Sequence, residues 1–179
     1  MRRYNRALFR SQKQPMSGGR RVLLATVICS LAAVAVALLS QYLFGMEPCA
    51  WCVLQRAQFL AIAFVCGLAL MMRRPALQLL LSILALLLSL AGMAAALWQH
   101  FVANNAFSCS LTLADRIISG LALDRLMPAV LAPRAGCAEG AVDLLGIPYE
   151  LWSLALFCII TAGLGVAIVE MRRSEASRI

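Results

Sequence analysis

Cys49 and Cys52 stand three residues apart in the run Glu47-Pro48-Cys49-Ala50-Trp51-Cys52-Val53-Leu54-Gln55-Arg56. One helical turn brings such a pair within the Cα separation of about 4.4 to 6.8 Å that a disulfide needs. The ring it closes is very short, constrains little of the unfolded chain and adds little stability. A C-x-x-C pair therefore suits thiol–disulfide exchange better than stapling. Arg56 follows Cys52 by four residues and projects from the same helix face. A cation one turn away and the positive end of the helix dipole both favour negative charge on the Cys52 sulfur. Glu47, two residues before Cys49, opposes negative charge there, so the pair reads as asymmetric, with Cys52 the more readily ionised.

The elements that must hold these residues are membrane spans. Of 179 residues, 63% are hydrophobic and 13% charged, which excludes an ordinary soluble domain. A span needs about 20 apolar residues to cross a hydrocarbon core of about 30 Å. Four segments qualify: residues 22–44, 52–72, 76–99 and 148–171. The expected architecture is an all-α membrane protein, a four-transmembrane-helix bundle. Residues 1–21 form a basic N-terminal arm and 45–51 a short outer loop. Residues 73–75, Arg-Arg-Pro, are a tight turn with Pro75 just past a helix end, 100–147 are one long outer loop, and 172–179 are a tail. The first segment is longer than the apolar region of a signal peptide and no A-x-A-like site follows, so it reads as a retained span.

Basic residues orient the bundle. Arg2, Arg3, Arg6, Arg10, Lys13, Arg20, Arg21, Arg73, Arg74, Arg172, Arg173 and Arg178 all fall on one side, out of 16 Lys and Arg in the chain. That side is the cytoplasm, with both termini. The long loop is close to neutral, with Arg116, Arg125 and Arg134 against Asp115, Asp124, Glu139 and Asp143. The net charge of +8 thus belongs to topology and anionic lipid, and nucleic-acid binding is not expected.

This map sorts the seven cysteines. Cys29, Cys66 and Cys158 fall inside spans, where cysteine packs as a small apolar residue. Cys49, Cys52, Cys109 and Cys137 fall outside, where disulfides persist. Spacing suggests Cys49 with Cys52, and Cys109 with Cys137 around 27 intervening residues. Zinc is disfavoured because the second pair lacks C-x-x-C spacing, and covalent haem would need His where Val53 stands.

Arg56 measures the depth of the site. Burying an Arg near mid-span costs about 2.5 to 3.5 kcal/mol even on permissive scales. The 16 residues 57–72 span about 24 Å, so Arg56 lies about one turn inside the outer boundary. An Arg there either snorkels to the headgroups as an anchor or serves Cys52. A dithiol at this depth that turns over must pass two electrons onward, and a lipid-soluble quinone fits the location. Gly163-Leu164-Gly165 lacks the third glycine and the strand of a dinucleotide motif and reads as helix packing. His100, the sole histidine, closes span three at the same surface, where an imidazole could bond a quinone oxygen or shuttle a proton, or simply sit at the interface beside Trp98. In the long loop, apolar residues from Leu111 to Met127 interleave with Asp115, Arg116, Asp124 and Arg125, suggesting short amphipathic helices on the membrane surface. The run Ala132-Pro133-Arg134-Ala135-Gly136-Cys137 reads as an exposed, mobile turn whose cysteine suits exchange with another protein.

Cys49-x-x-Cys52-x-x-x-Arg56 after span one, Cys109 and Cys137 in the second outer loop, Leu123-Asp124-Arg125 with Pro128, Cys137-Ala138-Glu139 and Leu145-Gly146-Ile147-Pro148 together resemble the bacterial disulfide bond formation protein B (DsbB) family, over roughly residues 22–171. The resemblance implies an inner-membrane, multi-pass thiol:quinone oxidoreductase. Such a protein keeps a periplasmic thioredoxin-fold oxidant, DsbA, in its disulfide form, with ubiquinone or menaquinone as acceptor. It implies that the partner's thiolate attacks Cys109, with Cys137 as its loop mate. It implies that electrons then reach Cys49 and Cys52, with the Cys52 thiolate touching the quinone, Arg56 polarising it and His100 near it. The long basic arm, Glu47 and Trp51 depart from the better-known members. Two other readings compete: a vitamin K epoxide reductase-like enzyme, whose C-x-x-C lies late in the bundle, and a tetraspan scaffold with inert disulfides, which leaves the depth of Arg56 unexplained.

Overall fold

The computed structural model describes residues 18–102, 112–136, 143–144 and 146–176. In chain order these form α1 (Gly18–Phe44), α2 (Ala50–Met71), α3 (Pro75–Phe101), α4 (Leu113–Gly120), α5 (Leu123–Leu126), α6 (Pro128–Leu131), the two-residue strands β1 (Asp143–Leu144) and β2 (Ile147–Pro148), and α7 (Tyr149–Ala176). Helices α1, α2, α3 and α7 are each long and apolar enough to cross a membrane. The shortest, with 22 residues, is about 33 Å long, enough for a hydrocarbon core of about 30 Å.

The four long helices make one bundle, with α2 against α1 and α3, and α7 closing the ring against α3 and α1. Leu23 and Val34 of α1, Ile62 and Cys66 of α2, Ala85 of α3 and Leu164 of α7 meet in its core. Phe59 and Phe157 stack across it with ring centroids 4.1 Å apart. Along α3, Ser82, Ala85, Ser89, Gly92 and Ala96 recur every three or four residues and are all buried. Small residues at that spacing let two helices approach closely, which is how apolar helices associate when lipid is as apolar as they are. A side chain at Gly92 would run into the Phe157 ring. Ser89 Oγ donates to the Phe157 carbonyl at 3.1 Å and meets Thr161 Oγ1 at 2.8 Å, adding polar links to this seam.

Helix ends differ from the sequence reading by a few residues. Helix α1 starts at Gly18 and so includes Arg20, whose Nη2 donates to the Leu70 carbonyl at 2.8 Å, satisfying a terminal acceptor of α2. Pro75 lies past the end of α2, as expected, and is also the first residue of α3, where its missing N–H is one that a first turn does not use. Helix α7 continues past residue 171 to Ala176. Of the Gly163 and Gly165 pair, Gly163 faces Val22 of α1, whereas Gly165 has open space beside it.

Candidate redox site

Helix α1 ends where Gly45 takes φ +65°, a conformation that favours glycine. The chain then turns, and Cys49 in extended conformation becomes the N-cap of α2, its Sγ accepting from the Cys52 amide at 3.4 Å. Both sulfurs therefore sit on the first turn of a helix, among its unpaired N–H groups. Cys49 is fully buried and Cys52 nearly so. Cys49 Sγ donates to Cys52 Sγ at 3.1 Å. At that separation the two sulfurs are in direct contact, as a pair that exchanges between dithiol and disulfide requires. Glu47 is exposed.

Arg56 is 6% exposed, turned into the bundle and not out to headgroups. Nη1 donates to Gln41 Oε1 at 2.6 Å and, more weakly, to the Val130 carbonyl at 3.5 Å, while Nη2 donates to the Ala37 carbonyl at 3.1 Å. Its Nε is buried with no partner among the described residues. Gln99 Nε2 donates to Cys52 Sγ at 3.3 Å and to Cys49 Sγ at 3.6 Å. Gln55 Nε2 donates to Gln99 Oε1 at 2.8 Å.

Cys52 and Arg56 also line a cavity of about 480 Å³ between α1 and α7, whose walls include Ala33, Val36, Ala37, Tyr149, Trp152 and Leu156. Val36, Trp152 and Ile159 are exposed on the apolar flank of the bundle, so the cavity opens sideways, toward where lipid would lie. The residues fit a flat, apolar ring carrying a carbonyl: the walls are apolar, and the guanidinium of Arg56 supplies donors at the lining. His100 is not among the lining residues. It is half-buried, with Nδ1 2.9 Å from Glu150 Oε1, and Glu150 is itself buried. Cys29 is exposed and lines the cavity, Cys66 is buried in the core, and Cys158 is exposed.

The long loop folds down over the C-x-x-C end. Thr112 and Asp115 form a capping box at the start of α4, with Thr112 N to Asp115 Oδ2 at 2.8 Å and Asp115 N to Thr112 Oγ1 at 3.2 Å. Ala114 and Ile118 of α4 are buried in a cluster with Ala50, Trp51 and Val53, while Leu113, Leu121 and Leu126 face outward. Tyr42 Oη donates to the Ala129 carbonyl at 2.8 Å. The Pro48 carbonyl then accepts from Arg134 N at 3.0 Å and Ala135 N at 3.3 Å, and Ala135 bridges Cys49 in parallel register. The segment before Cys137 is thus hydrogen-bonded to the turn that carries the redox pair, while the expected mobility of Cys137 concerns a residue outside the described ones. Turn composition does not register a backbone carbonyl waiting at Pro48. Cys109 and Cys137 themselves lie outside the described residues.

Of the site residues named from sequence, Cys49, Cys52 and Arg56 come together, and His100 stands apart on Glu150. Gln41, Gln55 and Gln99 belong to the site and went unremarked. Their signal was available: a primary amide inside an apolar span must find a partner.

The protein-family model described as disulfide bond formation protein DsbB matches residues 19–167. The chain is 32% identical over 146 residues to disulfide bond formation protein B of Herminiimonas arsenicoxydans, covering 81% of this chain and 92% of that one. It is 35% identical over 168 residues to the protein of the same name from Chromohalobacter salexigens, covering 88% and 96%. It is 30% identical over 164 residues to disulfide bond formation protein B 1 of Pseudomonas aeruginosa, covering 89% and 98%.

Proposed function

This chain belongs to the disulfide bond formation protein B family, and from that premise we propose that it reoxidises a DsbA-like periplasmic thioredoxin-fold protein and passes the electrons to a membrane quinone, ubiquinone or menaquinone. Family membership and the four apolar helices make it a multi-pass inner-membrane oxidoreductase acting on thiols, with a role in disulfide bond formation. The observation that carries the quinone reading is that Cys52 and Arg56 line one apolar cavity open to the flank of the bundle.

In this reading the partner's thiolate attacks Cys109, breaking the Cys109–Cys137 disulfide and forming a mixed disulfide. The partner's second thiol resolves it, leaving the partner oxidised and the loop pair reduced. Cys137 then attacks Cys49 of the Cys49–Cys52 disulfide, with Cys52 as leaving thiolate. The bridge between Ala135 and Cys49 supports this step, since Cys137 follows Ala135 by two residues, a tether of at most about 7 Å. Cys109 resolves the Cys49–Cys137 bond, so that two electrons now reside on Cys49 and Cys52. When bound, a quinone supplies a two-electron, two-proton acceptor. Arg56 would hold it through its guanidinium, and Cys52, lining the same cavity, would supply the sulfur that passes the electrons on. Both termini and the basic ends of the spans lie in the cytoplasm, and the cysteines face the periplasm.

The test is quinone absorbance during addition of a reduced thioredoxin-like partner to purified protein, repeated with each of Cys49, Cys52, Cys109 and Cys137 changed to Ser. Each change is expected to stop catalytic turnover. Quinone reduction at the original rate by Cys52→Ser would overturn the site.

A further inference from the structure

Two buried amides beside the sulfurs, Gln99 and Gln55, have been given no role so far, although Gln55 lines the same cavity as Cys52 and Arg56. Gln99 is 1% exposed and Gln55 3%, on facing turns of α3 and α2. As long as Gln55 offers an N–H, Gln99 must turn its oxygen to it, at 2.8 Å. That aims both hydrogens of the Gln99 amide at the cysteines, one toward each sulfur, with the shorter contact of 3.3 Å on Cys52. A thiol or disulfide sulfur is a poor acceptor, whereas a thiolate is a strong one, and hydrogen bonds to ionised groups are about twice as strong as neutral ones. A donor fixed at this place therefore favours one redox state over the other. Because both amides are buried, water does not compete for the bond.

We propose that Gln99 is a catalytic residue that holds the reduced pair as a Cys52 thiolate beside a Cys49 thiol, and that Gln55 is the positioning residue that keeps its donor face on the sulfurs. The pair thereby becomes a stronger oxidant toward incoming thiols, since its reduced form is the one stabilised. With dithiothreitol as reductant, the Cys49–Cys52 bond breaks and the ring disulfide of dithiothreitol forms, moving two electrons to the protein sulfurs. Of the two thiol protons of dithiothreitol, one ends on Cys49 and the other is released to water.

The inference rests on the redox reading of Cys49 and Cys52, and the experiment separates the two. The full-length chain with Cys109→Ser and Cys137→Ser is equilibrated with reduced and oxidised dithiothreitol, and the fraction of Cys49–Cys52 disulfide is read by alkylation and mass. Gln99→Met, of equal length without a donor, is expected to shift the equilibrium roughly tenfold toward the disulfide, as loss of one hydrogen bond to a charged acceptor requires. Gln55→Met is expected to shift it the same way by a smaller factor. In both, iodoacetamide should modify Cys52 of the reduced pair more slowly than in the parent. Lost packing alone would burden both redox states and leave the equilibrium in place. Should Gln99→Met fail to fold, Gln55→Met decides by the same readout. Variants within twofold of the parent, or shifted toward the dithiol, overturn the role of Gln99. A parent pair that never cycles with dithiothreitol overturns the redox reading itself.

Discussion

Arg56 is the residue whose cost most needs explaining. A guanidinium that is 6% exposed inside an apolar bundle has given up water for Gln41 Oε1 and the Ala37 carbonyl, and one of its N–H groups remains unmatched. An anchor would have reached the headgroups, as long cationic side chains do when they can. An inward Arg that lines a cavity instead suits recognition of an oxygen acceptor. In Arg56→Met the KM for a soluble quinone should rise about ten- to hundredfold, the effect of removing a charge-assisted hydrogen bond. Arg56→Lys, a point charge on a flexible stem, should fall between. Steady-state kinetics with the thiol donor saturating would measure this, and an unchanged KM in Arg56→Met would remove Arg56 from the binding site. The cysteines and Arg56 were legible in the sequence because their types and spacing are rare in apolar helices. The partners of Gln41, Gln55 and Gln99 were not, because each lies on another helix and no spacing within one helix reveals it. The partner of His100 was hidden for the same reason: Glu150, distant in sequence, stands 2.9 Å from its Nδ1.

Among the elements, the loop behaves differently from its composition. Its alternation of apolar and charged residues correctly suggested short helices, and the buried Ala114 and Ile118 show that one face of α4 packs on the start of α2 while Leu113 and Leu121 remain outside. The segment from Ala132 to Gly136 reads as a turn, yet two of its amides converge on the Pro48 carbonyl. Pro48 precedes the N-cap of α2, so its carbonyl has no helical partner, and the loop supplies one, which brings the chain within two residues of Cys137 to Cys49. Ala135→Pro removes one of these N–H donors and the bridge with it. Electron transfer from the loop pair to Cys49 and Cys52, followed by stopped-flow quinone absorbance after mixing with a reduced partner, should slow about tenfold. Direct reduction of Cys49–Cys52 by dithiothreitol should stay within twofold of the parent, because the amide network around the sulfurs is untouched. Equal slowing of both reactions would mean that the bridge supports the fold and not the exchange.

At the scale of the whole molecule, the bundle has two unlike ends. Arg20, Arg21, Arg73, Arg74, Arg172 and Arg173 gather where α1 and α3 begin and α2 and α7 end. The opposite end carries the C-x-x-C turn and a loop in which Asp115, Arg116, Asp124 and Arg125 nearly balance. The four spans and this asymmetry were readable from hydropathy and charge, since both are sums over many residues. The close seam of α3 on α7 was not, because it depends on which small residues share a face and what ring lies opposite. Basic residues near span ends resist translocation, and the dithiol chemistry needs an oxidising compartment, so both considerations give one orientation. Alkaline phosphatase, which must reach the periplasm to fold, should show only background activity when fused after residue 179. Fused to the chain truncated after residue 102, at the opposite end of the bundle, it should be at least tenfold more active. The reverse pattern would put Cys49 and Cys52 on the reducing side, where a DsbA-like partner is absent and the proposed exchange could not run.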